Sequence, residues 1–242
     1  MLRFLALACA LLPAAATAQA LQCTVPAQLE RPRPDGPDAR TPTRNLPIAS
    51  YTLAITWSPQ FCREQARQQR QSFQCTSGNR FGFTLHGLWP DGPGKDWPQY
   101  CRPVPLLAEA TLRRNLCVTP SVQLQQHEWA KHGSCMNVSA EQYFDRSRAL
   151  FQSLRFPDMA TLSRRANLTA GQLQAEFARV NRGLPVGSVR VTQAGGQWLD
   201  EVWLCLDRQF RWATCRPTQD GGVPAARPLG IWRGSQGSAG GR

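Results

Sequence analysis

The three histidines of this 242-residue chain are the first candidates for chemistry. His86 lies in the segment FTLHGLWP, and His127 and His132 lie in the segment HEWAKHGSC. A histidine titrates near neutral pH and can accept or donate a proton there. A single histidine is more often a hydrogen-bonded structural residue, but three histidines confined to two short segments favour acid–base catalysis.

The second of these segments is expected to form a short helix over residues 127–132, closed by Gly133. At about 100° per residue, His127 and Lys131 share one stripe, and Glu128 and His132 share the neighbouring stripe. We expect Glu128 to hold the His132 ring and favour its charged form. Lys131 beside His127 would form a cationic patch suited to a phosphate oxygen.

Two other kinds of site, a zinc site and a cysteine nucleophile, use residues of the same segment, and the sequence disfavours both. A zinc hydrolase motif H-E-x-x-H needs a second histidine at position 131, where this chain has Lys131. His132 stands about 140° from His127 around the helix, so the two cannot share a zinc ion in the usual way. Cys135 could be a nucleophile, but a disulfide is the stronger interpretation. No metal and no other cofactor is predicted.

The N-terminus and the cysteines indicate export. Residues 1–20 combine one arginine, an apolar run and the ending Ala18-Gln19-Ala20, which is typical of a signal peptide cleaved after Ala20. No later stretch reaches the length of a membrane span, so no membrane anchor is expected. Eight cysteines remain after the leader, and an even number in a secreted or periplasmic chain predicts disulfides. The short intervals suggest the pairs Cys62–Cys75 and Cys205–Cys215, and they leave the other four cysteines open.

The composition indicates a polyanionic partner without proving one. The formal net charge is +12, and apart from Lys95 and Lys131 the positive residues are arginines. The arginine fork suits phosphate, so nucleic acid is a plausible partner. A merely basic surface would explain the same charge.

The chain divides into four segments: a leader, an N-terminal arm rich in Pro and Arg (21–48), a single catalytic domain (49–217) and a C-terminal tail rich in Gly and Pro (218–242). The arm lacks periodicity over residues 24–47 and is expected to be loose. In the tail, Ile231 and Trp232 could dock on the body.

Secondary-structure signals within the domain predict an α+β fold with an antiparallel sheet and several helices. Residues 51–57 and 81–86 alternate as strands, with Phe83 and Leu85 facing the core and His86 on the other face above small residues. Residues 201–206 and 210–215 predict a hairpin. Helices are predicted over residues 106–117 and after the caps Ser139 and Thr169.

Four segments together resemble the ribonuclease T2 family of exported endoribonucleases. FTLHGLWPD and PSVQLQQHEWAKHGSC carry the likeness, and YTLAITWSPQFC and VWLCLDRQFRWATC extend it over most of residues 50–216. The resemblance implies cleavage of single-stranded RNA through a 2′,3′-cyclic phosphate, with low base specificity. His132 would be the base and His86 the acid, and the phosphorane would be supported by His127, Glu128 and Lys131.

The same resemblance implies further residue roles. Trp89 would lie near the phosphate and first base, and Asp91 would contact a base. Beyond Asp91 the segment GPGKDWPQY departs from the family pattern, so Trp97 and Tyr100 are only candidates for stacking on a base, and Trp129 is expected to pack under its helix. Cys101 and Cys135 would form the family disulfide, which leaves Cys23 to pair with Cys117. RNA is the expected partner, no obligate protein partner is implied, and a monomer is expected.

Two alternatives stay open at this level. The chain could be a basic RNA-binding module without activity, or an exported hydrolase of unrelated mechanism. The first needs arginines and aromatic residues but no acid–base pair. The second predicts dependence on a metal or on a reactive thiol.

Overall fold

A computed structural model describes residues 20–68, 72–76, 78–219 and 221–234. The predicted leader therefore lies outside the described residues except for Ala20. Within the described ranges, no helix has the length and apolar character that crossing a membrane requires.

A four-stranded antiparallel sheet forms the centre of the molecule. Its strands stand in the order β4-β2-β6-β5, so that β2 and β6 are the inner pair. A separate two-stranded ladder joins β1 to β3. The strands are β1 Ala20–Gln22, β2 Ser50–Trp57, β3 Arg80–Phe81, β4 Phe83–Asp91, β5 Val189–Ala194 and β6 Trp198–Leu206.

Six α-helices surround this sheet in the described part of the chain. They are α1 Ser58–Arg67, α2 Glu109–Asn115, α3 Val122–Lys131, α4 Ala140–Ser153, α5 Met159–Leu162 and α6 Ala170–Val180. The caps at Ser139 and Thr169 form complete capping boxes with Gln142 and Gln172. The α+β fold with an antiparallel sheet is confirmed.

The core fills the space between the sheet and the helices with large apolar side chains. Phe83 is 1% exposed and stacks on Phe156 at 5.3 Å between ring centroids, with Phe177 edge-on at 5.6 Å. Leu85 is also buried, and Trp129 packs against Tyr143 at 6.0 Å, as expected for a residue beneath its helix.

The N-terminal segment is irregular but not loose, so that part of the prediction is wrong. Cys23 is bonded to Cys117, and Arg113 donates to the carbonyl oxygens of Pro26 and Ala27. The backbone of Arg44 exchanges two hydrogen bonds of 2.9 Å with Gln99. Prolines fix φ and reduce the freedom of the unfolded chain, so a segment without periodicity can still hold one conformation.

The C-terminal segment also packs on the body. Ile231 is buried, and the carbonyl oxygen of Trp232 accepts a hydrogen bond of 2.5 Å from the indole of Trp57. The structure joins the cysteines in the four expected pairs, with S–S distances of 2.01–2.10 Å: Cys23–Cys117, Cys62–Cys75, Cys101–Cys135 and Cys205–Cys215.

The predicted hairpin after β6 forms only next to its turn. Leu206 pairs with Trp212 in a single antiparallel bridge, and backbone hydrogen bonds run from Asp207 N–H to the Arg211 carbonyl oxygen at 2.9 Å and from Ala213 N–H to the Cys205 carbonyl oxygen at 3.1 Å. No strand covers residues 210–215, and the long partner strands of β6 are β2 and β5. The Asp207 carboxylate accepts hydrogen bonds from the backbone of Gln209 and Arg211, which closes a tight turn. The chain then leaves the sheet, and the backbone N–H of Cys215 donates to the carbonyl oxygen of Gly187 at 2.9 Å.

The helix that carries two of the histidines is longer than predicted. It begins at Val122, capped by Ser121, whose side-chain oxygen accepts from the backbone N–H of Leu124. His132 is its C-terminal cap, and a 3-10 turn follows over Gly133–Cys135. Gly133 is needed for space rather than for a left-handed turn, because a Cβ there would collide with the ring of Trp129.

Candidate active site

Three elements bring the predicted residues together. The edge strand β4 supplies His86 and Trp89. The helix α3 supplies Glu128 and Lys131, and His132 caps its C-terminal end. Strand β6 supplies Glu201. The N-terminal segment lies beside His127 on the outer part of the site.

His86 occupies a β-bulge that ordinary strand alternation does not anticipate. Ala54 of β2 faces Gly87 and Ile55 faces Leu85, so His86 is the extra residue on β4. Bulges re-aim a side chain and are frequent next to functional sites. Leu85 and Leu88 are both buried in the core. In a regular strand, residues three positions apart point to opposite faces, and the bulge removes this difference. The expected open floor beneath His86 is absent, because Thr84 is buried against Gln74.

The His86 ring lies between two carboxylates. Its Nδ1 is 2.7 Å from Glu201 Oε1, and its Nε2 is 3.4 Å from Glu128 Oε1. Burial disfavours the charged ring, but the hydrogen bond to Glu201 and the negative charges of Glu128, Glu201 and Asp200 outweigh it and raise the pKa of His86 to about 9. His86 is therefore protonated at neutral pH.

Glu201 is the partner of His86 that the sequence analysis missed. Its carboxylate accepts hydrogen bonds from Thr56 Oγ1 at 2.8 Å and from the Trp203 indole at 2.7 Å. Burial opposes ionisation, yet the bond and charge of His86 hold the pKa of Glu201 below its ordinary value. The available signal was an acidic residue at the start of the apolar strand segment EVWLCL.

Glu128 does not hold His132, which corrects the expected pairing. It is 2% exposed, and its Oε2 accepts from the Trp89 indole at 2.8 Å while Oε1 faces His86. Its side chain points at the sheet, where Gly87 leaves room: a Cβ on Gly87 would overlap the carboxylate. Burial raises the pKa of Glu128, and the charges of His86 and His127 offset part of that effect.

His132 is in the opposite electrostatic situation from His86. It is 5% exposed, and within the described part of the chain its buried Nδ1 has no hydrogen-bond partner. Burial, followed by the positive charges of Lys131, His127 and His86, places the pKa of His132 well below its ordinary value. The prediction that its charged form is favoured is therefore wrong, and the ring is neutral at neutral pH.

His127 contacts a residue that the sequence analysis did not single out. Its Nδ1 is 3.1 Å from Asp35 Oδ2, and Tyr100 donates a hydrogen bond of 2.8 Å to the other oxygen of the same carboxylate. Asp35 belongs to the segment that was expected to be loose, and nothing in its sequence context distinguishes it from Asp38.

A pocket of about 280 Å³ adjoins the two histidine segments. Trp89, Asp91 and Trp97 all line it, together with Lys131 and His132. Trp97 is 42% exposed, with the Arg44 guanidinium 5.2 Å from its ring centre, whereas Tyr100 is 6% exposed with its hydroxyl bound to Asp35. Asp91 accepts from Thr52 at 3.0 Å and from Gln219 at 2.8 Å, and burial raises its pKa. The remaining lining residues are Thr52, Gly94, Lys95, Asp96, Arg190, Trp203, Cys205, Thr218 and Gln219.

The donor groups of the described residues do not form a metal centre. No group of three or more His, Cys, Asp or Glu side chains in these ranges is arranged to hold a metal ion. Cys135 is in a disulfide. What the arrangement offers is a protonated histidine and a neutral histidine, whose rings lie 5.1 Å and 5.6 Å from the ring of Trp89.

Comparison with known proteins identifies the family. The sequence model of the ribonuclease T2 family matches residues 48–215. The chain belongs to the ribonuclease T2 family. This match confirms the resemblance drawn from the histidine motifs, and it contains His86, all of α3 and Glu201. It does not contain Asp35 or Gln219.

Curated relatives carry the same family character. A probable ribonuclease of Haemophilus influenzae is 31% identical over 181 residues, which cover 70% of this chain and 62% of the relative. Ribonuclease I of Escherichia coli is 28% identical over 144 residues, covering 43% of this chain and 53% of that protein. The T2 chain thus matches less than two thirds of the length of each of these two relatives.

Solved structures show the same fold. The S-like ribonuclease trichomaglin superimposes with a TM-score of 0.60 at 17% identity, covering 76% of this chain and 97% of that one. An RNase-related protein from Calystegia sepium gives a TM-score of 0.56 at 21% identity, covering 74% and 95%. About three quarters of this chain therefore shares its fold with these structures, although the sequences are at most 21% identical.

Proposed function

We propose that this T2-family protein is an endoribonuclease that cleaves single-stranded RNA by transesterification. The ribose 2′-hydroxyl attacks the adjacent phosphorus in line, the 5′-oxygen leaves, and a 2′,3′-cyclic phosphate forms. The observation that carries the proposal is the opposite perturbation of two neighbouring histidines. The pKa of His86 is raised to about 9, and that of His132 is well below 6.5. Titratable groups whose pKa values are driven apart are typical of an acid and a base at one site.

His132 suits the role of base. It is neutral, and because Nδ1 is buried, Nε2 is the nitrogen that can accept the proton of the 2′-hydroxyl. His86 suits the role of acid, since its Nδ1 is bound to Glu201 and its protonated Nε2 can pass a proton to the leaving 5′-oxygen. His132 takes up the proton of the 2′-hydroxyl and His86 gives a proton to the leaving 5′-oxygen, so the proton count balances and no metal is needed.

The remaining motif residues suit the charge that develops on the phosphorane. Lys131 lines the pocket next to His132, and His127 is close enough to lower the pKa of that ring. Positive groups fixed where negative charge develops are commonly the largest contribution to catalysis. Glu128 supports the site from beneath, by holding Trp89 and facing His86.

The pocket suits a base bound with little selectivity. Stacking on the exposed Trp97 and on Trp89 would tolerate any base, because every base has a π-face. The Asp91 carboxylate already accepts from Thr52 and Gln219, which leaves it few free positions for reading base edges. We propose low base specificity on this ground.

We further propose that the protein is exported and acts as a monomer in the periplasm or outside the cell. The predicted leader supports export. So do the four disulfides, which persist in oxidising compartments.

The test uses two oligonucleotides and excess chelator. One oligoribonucleotide carries all its 2′-hydroxyls, and the matched one has a single 2′-deoxy residue at the preferred cleavage position. We expect cleavage of the first with cyclic-phosphate ends, and protection of the second at that position. Binding without cleavage would favour the inactive RNA-binding alternative. Loss of activity in chelator, or cleavage at the deoxy position, would overturn the mechanism.

A further inference from the structure

Residues 33–44, which we call the strap, lie outside the family match at 48–215 and yet contact both sides of the active site. The strap contacts His127 at one end and the pocket loop that carries Trp97 at the other. It therefore reaches the proposed active site from outside the range that the family model matches.

The contact to His127 is made by a carboxylate with a fixed position. Asp35 Oδ2 lies 3.1 Å from His127 Nδ1, while Oδ1 accepts the hydroxyl of Tyr100 at 2.8 Å. The side chain of Asp35 is only 18% exposed. A partner on one ring nitrogen sets the orientation and tautomer of a histidine, and it leaves the other nitrogen for a ligand.

The strap is anchored on the N-terminal side of Asp35. The backbone of Arg33 exchanges hydrogen bonds with the side-chain amide of Gln123, at 2.8 Å and 3.3 Å. Upstream, the Cys23–Cys117 disulfide ties the chain to the body. Pro32 and Pro34 flank Arg33, and fixed φ angles limit the conformations this segment can adopt.

The contact to the pocket loop is made by Arg44. Its backbone pairs with Gln99, and its guanidinium donates to the Trp97 carbonyl oxygen at 3.1 Å. The same guanidinium lies 3.2 Å from the Asp96 carboxylate and 5.2 Å from the centre of the Trp97 ring. Arg44 thus fixes both the backbone and the ring of a residue that lines the pocket.

We propose that the strap is a positioning element of the active site, in which Asp35 orients His127 and Arg44 holds the Trp97 loop. This proposal rests on the proposed ribonuclease function, since it assigns His127 to the phosphate and Trp97 to the base. Asp35 acts on the chemical step through His127. Arg44 acts on the binding of the substrate.

The first test is a double-mutant cycle of Asp35→Asn and His127→Ala, with Asp38→Asn as the matched control. Asp38 is a carboxylate of the same strap, and in the described part of the chain it accepts hydrogen bonds from Arg40 and Thr41. We expect Asp35→Asn to lower kcat for RNA cleavage about tenfold, which corresponds to about 1.4 kcal/mol. Asp38→Asn should stay within about twofold of wild type, as expected for a surface change. In the His127→Ala background, Asp35→Asn should cause no further loss. Equal losses for the two strap variants, or losses that multiply in the double mutant, would overturn the role of Asp35.

A second readout does not depend on activity. The chain has three histidines, so ¹⁵N labelling of the imidazoles gives three resolvable ring systems. We expect Asp35→Asn to shift the ring nitrogens of His127 and to leave those of His86 unchanged. If wild type fails to cleave RNA but the His127 signals still depend on Asp35, the proposed function fails and the contact stands. If wild type cleaves RNA and neither kcat nor the His127 signals respond, the strap proposal fails alone.

The second test compares Arg44→Ala with Arg40→Ala. Both remove one positive charge from the same strap, and only Arg44 contacts Trp97. We expect Arg44→Ala to raise KM for a short oligonucleotide about fivefold and to leave kcat within about twofold. Arg40→Ala should change neither constant by more than about twofold. Equal effects of the two substitutions would show that charge alone matters and would overturn the role of Arg44.

Discussion

The acid role of His86 depends on Glu201, and the substitution Glu201→Gln tests this. The amide keeps the size of the side chain and one acceptor oxygen, whereas Glu201 uses both of its oxygens, Oε1 toward Thr56 and His86 and Oε2 toward the Trp203 indole. It removes the negative charge that faces His86 Nδ1 at 2.7 Å. The His86 pKa is then expected to fall, because burial continues to oppose the charged ring and less negative charge remains to offset it.

The size of the effect follows from the titration of one group. A return of the His86 pKa from about 9 to its ordinary 6.5 changes its protonated fraction. At pH 7 the fraction would fall from about 0.99 to about 0.24, and at pH 8 from about 0.9 to about 0.03. The acid form is present below the pKa and is lost above it, so the loss of kcat/KM grows from almost none at pH 5 to about fourfold at pH 7 and about thirtyfold at pH 8.

The assay is the pH dependence of kcat/KM on a dinucleoside phosphate, with Glu176→Gln as the matched control. Glu176 pairs with Arg165 and Arg179 on the surface of α6 and does not touch the site. In wild type and in the control, activity should fall on the alkaline side near pH 9, whereas in Glu201→Gln this fall should begin below pH 7. A loss of the same size at every pH would mean that Glu201 only orients the ring. Unchanged activity at pH 8 would refute the reasoning altogether.

The remaining predictions concern the base, the bulge and the disulfides. His132→Ala is expected to lower kcat at least 10²- to 10⁴-fold, as measured by cyclic-phosphate release, and an effect below tenfold would exclude it as the base. Gly87→Ala places a Cβ on the Glu128 carboxylate, so both activity and Tm should fall, while Gly94→Ala, where a Cβ meets no atom within 4 Å, is the control for Tm. Removing Cys23–Cys117, with a separation of 94, should cost about 5 kcal/mol of unfolding free energy, against about 3 for Cys205–Cys215 with a separation of 10. The reverse order in denaturant unfolding would contradict the loop-entropy argument.

Features that are encoded locally could be predicted from the sequence. A capping box occupies four consecutive residues, so Ser139 and Thr169 could be identified without any tertiary information. The short-interval disulfides are local in the same sense. The two histidine segments were found because histidine is rare in this chain, and each segment is continuous. The spacing of His127 and His132 alone argues against a shared zinc ion.

Partners that come from distant segments could not be predicted. Glu201 is 115 residues from His86, and Asp35 is 92 residues from His127. Which acidic residue meets which histidine depends on strand order and on the path of an irregular segment, and neither follows from periodicity. Without these partners, the sequence analysis paired Glu128 with His132, four residues later on the same helix, and this assignment was wrong.

The bulge at His86 shows a different kind of limit. Strict alternation predicts a face for each residue, but one extra residue shifts every later position to the other face. The spacing of three between the buried Leu85 and Leu88 carries this information. The position of the bulge can be identified only when the partner strand fixes the register. Ala54 faces Gly87 and Ile55 faces Leu85, which shows that His86 is the extra residue.

The difference between the two histidines arises from packing rather than from burial. The His86 side chain is 30% exposed and His132 is 5% exposed, and burial alone would lower both pKa values. Glu128 lies one turn from His132 on α3, where it would raise the pKa of that ring if it turned toward it. Gly87 lets the helix approach the sheet so closely that the carboxylate faces His86 instead. The contact between α3 and β4 therefore assigns the negative charge to the acid and leaves the base with cationic neighbours. This implies that a change in helix–sheet distance would weaken both roles together.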